Sequence, residues 1–114
     1  YLGDILNGAR WAVDHGARCI NVSQTGVEYA AVQTTGQYIT SKGGLLFWAA
    51  GNDARDLSWF DWNDVIVVGG TDADDHRTEC SAYGLAVDVY LSEGRVDFVH
   101  AVQGDPVGAN GLCR

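Results

Sequence analysis

The sequence predicts an α/β domain built on a parallel sheet with helical crossovers. Three observations point there. Apolar residues recur at helical spacing in two segments, residues 2–15 and 27–42. Two continuous apolar runs, Leu45-Leu46-Phe47-Trp48-Ala49-Ala50 and Val65-Ile66-Val67-Val68, have the composition of strands covered on both faces. Helical and strand-like segments also alternate along the chain, the order that builds parallel sheets with helices as crossovers.

In the first segment Leu2, Ile5, Leu6, Ala9, Ala12 and Val13 fall on one face of a helix. Gly16 follows where a left-handed C-terminal cap favours glycine. Cys19-Ile20-Asn21-Val22-Ser23 reads as a short strand and Gln24-Thr25-Gly26 as a turn. Residues 27–42 form a weaker helix, with Val27, Ala30, Ala31, Tyr38 and Ile39 on a common face. Gly36 costs that helix about 1 kcal/mol relative to Ala, and Gly43-Gly44 ends it. The two apolar strands come next, separated by a polar and aromatic loop over residues 51–64. In that loop the Trp59-Phe60-Asp61-Trp62 cluster is expected to pack, since aromatic side chains bury large areas, the other reading being an exposed binding patch. Residues 85–91 alternate, with Leu85, Val87, Val89 and Leu91 on one face, and read as a half-buried strand. From Gly94 onward no element is evident, and no internal domain boundary interrupts the 114 residues.

Charge and composition narrow the function classes. Seven Lys and Arg against 15 Asp and Glu give a net charge of −8, which disfavours nucleic acid and anionic membrane surfaces as partners. The longest apolar run is strand-sized, far short of the roughly 20 residues that span a bilayer. Cys19, Cys80 and Cys113 are widely spaced and form no Cys-x-x-Cys pair, so no structural zinc site is expected. Asp72-Ala73-Asp74-Asp75-His76 resembles a calcium loop only in its acidity: the glycine at the sixth position and the distal Glu are missing, and an acidic turn is the simpler reading. No metal and no cofactor is expected. Asp14-His15 is no catalytic pair, because adjacent helical residues do not face each other.

In open parallel sheets ligands sit beyond the carboxyl ends of strands. Two strand exits are therefore of interest: Asn21-Val22-Ser23-Gln24-Thr25-Gly26 and Ala49-Ala50-Gly51-Asn52-Asp53. Small residues there let a ligand backbone approach closely. The Asn52 amide is a donor suited to an oxygen that gains negative charge, although an Asn at such a position also commonly satisfies a turn.

These segments, with Asn7-Gly8-Ala9-Arg10-Trp11-Ala12, Gly16 to Ser23, Gly43 to Asn52, Val65-Ile66-Val67-Val68-Gly69-Gly70-Thr71-Asp72 and Cys80-Ser81-Ala82-Tyr83-Gly84 leading into Val87-Asp88-Val89, resemble the middle of a subtilisin-like serine protease. The resemblance runs from about residue 5 to residue 94, leaving 95–114 as an unassigned tail, so that 1–114 reads as a partial peptidase domain of the family's three-layer fold. It implies that Asn52 is the oxyanion-hole asparagine, that Ser23, Gln24, Thr25 and Gly26 pair with the substrate backbone as an added strand, and that Ala49, Ala50 and Gly51 wall the pocket for the side chain before the scissile bond. Trp48 stands where the family usually has a small residue, which narrows or reshapes that pocket. Extended peptides or proteins are the implied partners, and secretion is the implied localisation.

The departures are as specific. The family's catalytic Asp and His lie upstream of the matching region, and no Gly-Thr-Ser nucleophile motif is present. Sliding Asn110-Gly111-Leu112-Cys113 onto Asn-Gly-Thr-Ser puts Cys113 at the nucleophile position, where a thiol needs an activating base; the other reading is a chance match of a short tail. The family's Ala-Pro-Gly after Val-Asp-Val reads Leu91-Ser92-Glu93-Gly94 here. Two functions follow. One is the oxyanion and substrate-binding portion of a serine endopeptidase, inactive alone. The other is a non-catalytic peptide-binding module. A nucleotide-binding domain ranks below both, because Gly69-Gly70-Thr71 is too short for the dinucleotide fingerprint. In the family, the strand at residues 19–23 pairs with the strand bearing the catalytic Asp, so an open edge and self-association are expected here.

Overall fold

The computed structural model describes residues 1–92. The sequence tail 95–114, with Cys113, lies outside the described residues.

Helix α1 spans Leu2–Asp14 and buries Leu6, Ala9 and Val13, the centre of the expected stripe. It ends as anticipated. Gly16 adopts φ +98°, the Ala17 amide donates to the Ala12 carbonyl at 2.9 Å and the Gly16 amide to Val13 at 3.2 Å. This is the six-to-one and five-to-two pattern that a left-handed glycine permits. Strand β1 follows at Cys19–Val22.

Helix α2 spans Ala30–Ser41 and is shorter than its sequence pattern. Val27 is buried from the preceding turn rather than from the helix, and Ala30 and Ala31 are exposed. The buried face is Val32, Thr35, Gly36 and Ile39. The stripe read from alanines was therefore rotated: Ala carries too little apolar area to decide which way a helix turns. Gly43, at φ +84°, repeats the α1 cap, with the Gly44 amide donating to Ile39 and the Gly43 amide to Thr40.

Strands β2 (Leu45–Ala49), β3 (Ile66–Thr71) and β4 (Val89–Ser92) complete a sheet of order β1-β2-β3-β4. Every pairing is parallel, with Val22 beside Trp48, Ala49 beside Val68 and Gly69 beside Tyr90. The fold is thus the expected α/β sheet with helical crossovers. Helix α1 packs on α2 and β1, and α2 packs on β2, so both helices cover one face. The core lies between them and the sheet: Leu6, Ala9, Val13, Val32 and Ile39 meet Ile20, Val22, Leu46, Trp48 and Val67.

The last strand is shorter than the alternation over residues 85–91 suggests, and its first half inverts the expected faces. Leu85 is 65% exposed and Ala86 is fully buried. Residues 83–87 form a turn: Gly84 sits at φ +110°, the Val87 amide donates to the Gly84 carbonyl, and the Ala86 amide donates to Leu57. A Cβ on Gly84 would lie 2.6 Å from Ser58 Oγ, so the turn is docked on the loop before β3. Two-residue periodicity holds only where backbone is extended.

Candidate functional site

Parallel pairing in the register Val22 to Trp48 brings the exits of β1 and β2 to the same edge of the sheet. Residues 23–26 leave β1 there, and residues 50–53 leave β2 beside them. The two segments picked out in the sequence are thus neighbours in space.

At the second exit, Ala50 is still anchored to the sheet, its amide donating to Val68 at 2.8 Å. The chain then turns at Gly51, φ +112°. The Gly51 carbonyl accepts from Ala82 at 3.0 Å, and the Ala54 amide donates to Cys80 at 3.0 Å. These bonds fix the bend that carries Asn52. Asn52 and Gly51 are half-buried, whereas Ala49 and Ala50 are almost wholly enclosed, each 3% exposed. Of the expected wall, only Gly51 reaches the surface.

Trp48 does not line that surface. It is fully buried on the core face with Leu46, and its indole Nε1–H donates to the Gln24 carbonyl at 2.7 Å. A second indole, Trp62, donates to the Val27 carbonyl at 2.6 Å. Within its cluster Phe60 is buried and Trp62 half-buried, as expected, but Trp59 remains 65% exposed.

A third contact joins the two exits. Arg55 reaches Glu28 at 3.2 Å and Asp53 at 2.5 Å. Burial works against the Arg55 charge, but the hydrogen bond to Glu28 and the fields of Asp53 and Glu28 outweigh it and push its pKa up. The second Glu28 oxygen, Oε2, is buried with no hydrogen-bond partner among the described residues.

Beside residues 25–26 lies an open cavity of about 450 Å³ lined by Tyr1, Leu2, Thr25, Gly26 and Tyr29. The Tyr1 hydroxyl donates to the Gln24 side-chain oxygen at 2.7 Å, closing one corner. Gly26 is at φ +105°, and a Cβ there would touch Leu2 and Tyr29 at 3.5 Å. Sequence reading missed Tyr1, Leu2 and Tyr29, which lie far from residues 23–26 in pattern if not in space. It also missed the partner of Trp48. The available signal was an indole in an otherwise hydrocarbon strand, since a buried indole N–H requires an acceptor.

The other polar candidates are structural. Asp72 Oδ1 accepts the amides of Asp74 at 2.8 Å and His76 at 3.0 Å. Those bonds, the His76 one first, hold its carboxyl below the usual carboxylate range. No group of three His, Cys, Asp or Glu among the described residues is placed to hold a metal ion. His15 stacks on Trp11 and bonds its carbonyl through Nδ1. Gly69-Gly70-Thr71 lies within β3 and is followed by a turn, not a helix. Cys19 is a free, exposed thiol, so it does not pair with Cys80. No described helix is long and apolar enough to cross a membrane.

Against known proteins, the model of the Subtilase family matches residues 1–100. Thermitase from Thermoactinomyces vulgaris is 33% identical over 88 residues, covering 75% of this chain and 32% of that protein. Subtilisin-like protease 3 from Pseudogymnoascus destructans is 34% identical over 98 residues, covering 76% of this chain and 24% of its own length. The chain therefore spans a third or less of these relatives. Among solved structures, the epidermin leader peptide processing serine protease of Staphylococcus aureus superposes with a TM-score of 0.67 at 20% identity, over 88% of this chain and 33% of that one. At that identity the likeness is one of fold. The prenylagaramide maturation protease superposes with a TM-score of 0.62 at 25% identity, over 77% and 35%.

Proposed function

Because this chain belongs to the subtilase family, we propose that it is the oxyanion-hole and substrate-binding portion of a subtilisin-like serine endopeptidase domain. The observation that carries this reading is the meeting of the β1 and β2 exits at one sheet edge, with Asn52 on the bend fixed by Gly51. A peptide laid along residues 23–26 as an added strand has its backbone close to the Asn52 bend. The Asn52 amide then donates to the substrate carbonyl oxygen as attack turns it into an oxyanion. A donor fixed in advance acts only on the charge that develops in the transition state. The cavity bounded by Leu2, Tyr29 and Gly26 receives an apolar side chain of the same peptide.

The nucleophile and its base are not supplied by these residues in this reading. The sequence holds no Gly-Thr-Ser, and the Asp53 side chain next to Asn52 is held in an ion pair with Arg55. The 114-residue chain alone accordingly neither cleaves peptides nor reacts with a fluorophosphonate, which labels only an activated serine. The second reading is a module that binds extended peptides without cleaving them.

Asn52→Ala in the full-length protein separates the two. In the endopeptidase reading kcat falls about 10²–10³-fold with KM little changed, the loss found when a subtilisin loses such a donor. If the full-length protein binds peptides, shows no hydrolysis, and Asn52→Ala leaves binding intact, the module reading replaces it.

A further inference from the structure

Residues 24–28 have no regular secondary structure of their own, being bends and turns between β1 and α2. Three side chains from distant parts of the chain nevertheless grip this stretch. Trp48 Nε1–H donates to the Gln24 carbonyl at 2.7 Å, Trp62 Nε1–H to the Val27 carbonyl at 2.6 Å, and Arg55 Nη2 to the Glu28 carboxylate at 3.2 Å. All three donors come from β2 or from the loop that follows it, the same stretch that carries Asn52. An indole offers one donor and no acceptor, so each tie has a single orientation. Trp48 is wholly enclosed in the core, and Trp62 packs against the ring of Phe60 with centroids 4.9 Å apart. Trp48, in a central strand, is the firmest of the anchors, and Trp62 and Arg55 tie the loop after β2 to the same stretch.

We infer that Trp48 and Trp62 are positioning residues for peptide binding: their indole N–H groups hold the backbone of residues 24–27 in the form that accepts a substrate strand and fix its distance from the Asn52 bend. The inference rests on the proposed peptide-binding role of residues 23–26. A loop that must order itself when the peptide arrives loses affinity in proportion to that ordering, whereas a loop ordered in advance does not. The ties also explain why a large indole occupies a place next to two alanines. Its ring fills the core, and its N–H reaches across to the neighbouring strand's exit.

The test is Trp48→Phe and Trp62→Phe, separately, in the full-length protein. Each keeps an aromatic ring and deletes the donor. Two readouts are needed. Hydrogen exchange at the amides of residues 23–28 is expected to quicken about tenfold in each variant, the size of losing one hydrogen bond to a partly buried carbonyl, while the amides of β2 and β3 hold. KM for peptides long enough to lie along residues 23–26 is expected to rise about tenfold with kcat within about twofold, and KM for a minimal substrate to stay as it is. Wild-type KM for long peptides in both variants overturns the inference, as does unchanged exchange over residues 23–28. A parallel fall in kcat for long and short substrates, with KM unchanged, also overturns it, because that marks general unfolding. If the wild-type protein neither binds nor cleaves long peptides, the proposed function itself has failed, and the exchange data still report whether the ties hold the loop.

Discussion

A Cβ placed on Gly36 would lie 2.3 Å from the carbonyl oxygen of Asp64. Helix α2 therefore crosses the residues just before β3 at a distance that only glycine permits. The contact is reinforced alongside, where Gln33 Nε2 donates to Asp64 Oδ2 at 3.1 Å and the Asp64 amide donates to Gln33 Oε1 at 3.2 Å.

Gly36→Ala is accordingly expected to destabilise the protein although it improves the helix. The gain in helix propensity is about 1 kcal/mol. Forcing a methyl group into backbone in a packed core costs about 1–3 kcal/mol or more, and here the obstacle is a carbonyl that cannot rotate away. The net loss is roughly 0–2 kcal/mol or more, and each kcal/mol lowers the melting temperature by about 4–8 °C in a domain of this size. A stabilised Gly36→Ala variant in calorimetry means that α2 does not sit this close to Asp64.

The ion pairs of Arg55 differ in weight. Its contact with Asp53 joins side chains that are 45% and 51% exposed, and such pairs contribute about 0–1 kcal/mol. Glu28 is only 18% exposed, with one oxygen that has no partner among the described residues. Arg55→Ala leaves that carboxylate alone at a cost of about 1–3 kcal/mol, and adding Glu28→Gln recovers part of it. Asp53→Asn is expected to be near neutral. Urea unfolding of the single and double variants measures the coupling.

Asp88 lies at the junction of β3 and β4. Its Oδ2 accepts the Val67 amide at 2.8 Å. Loss of water contact raises its pKa, the Val67 amide opposes this, and the charge of Asp61 adds to the rise. A carboxyl with a raised pKa binds its proton more tightly folded than unfolded. Its contribution is therefore most favourable below the unfolded-state pKa and is lost as pH rises through the folded-state pKa. Asp88 is exposed, so solvent screens the charge and its cost at neutral pH is small. Asp88→Asn removes the charge and keeps an acceptor for Val67, so it is expected to melt above wild type at pH 7 and to converge with it near about pH 3. An equal offset at both pH values argues against the electrostatic origin.

Strand β1 pairs only with β2 among the described residues. Cys19 and Asn21 of this edge strand are exposed on the sheet face away from the helices. An uncovered edge is a template for another chain, so the isolated 114-residue chain is expected to self-associate with rising concentration in sedimentation. Asn21→Lys, which puts a charge on the edge, is expected to shift it toward monomer. Concentration-independent monomers in the unsubstituted chain rule this out.

How much of this was legible beforehand differs by element. The α1 stripe, its glycine cap and the two apolar strands are local features: spacing and composition over a dozen residues set them, and the structure has them where the pattern places them. The family was legible too, because short motifs in a fixed order survive where overall identity does not. The face of α2 was not, since alanines on one side and a glycine on the other give no strong moment, and the glycine belongs at the contact with Asp64. The turn at residues 83–87 was hidden by an alternation that extended backbone did not produce.

The sequence by itself determined that helices and parallel strands alternate and that two small-residue segments end strands, because backbone propensity and burial period are properties of neighbours in the chain. Only the tertiary structure decided that those two segments share an edge, that Trp48 faces the core and reaches the Gln24 carbonyl, and that Arg55 ties Glu28 to the Asn52 bend. Those contacts join residues 24 to 27 positions apart. Their geometry depends on strand register and on which groups lose water together, and no local window of sequence contains either.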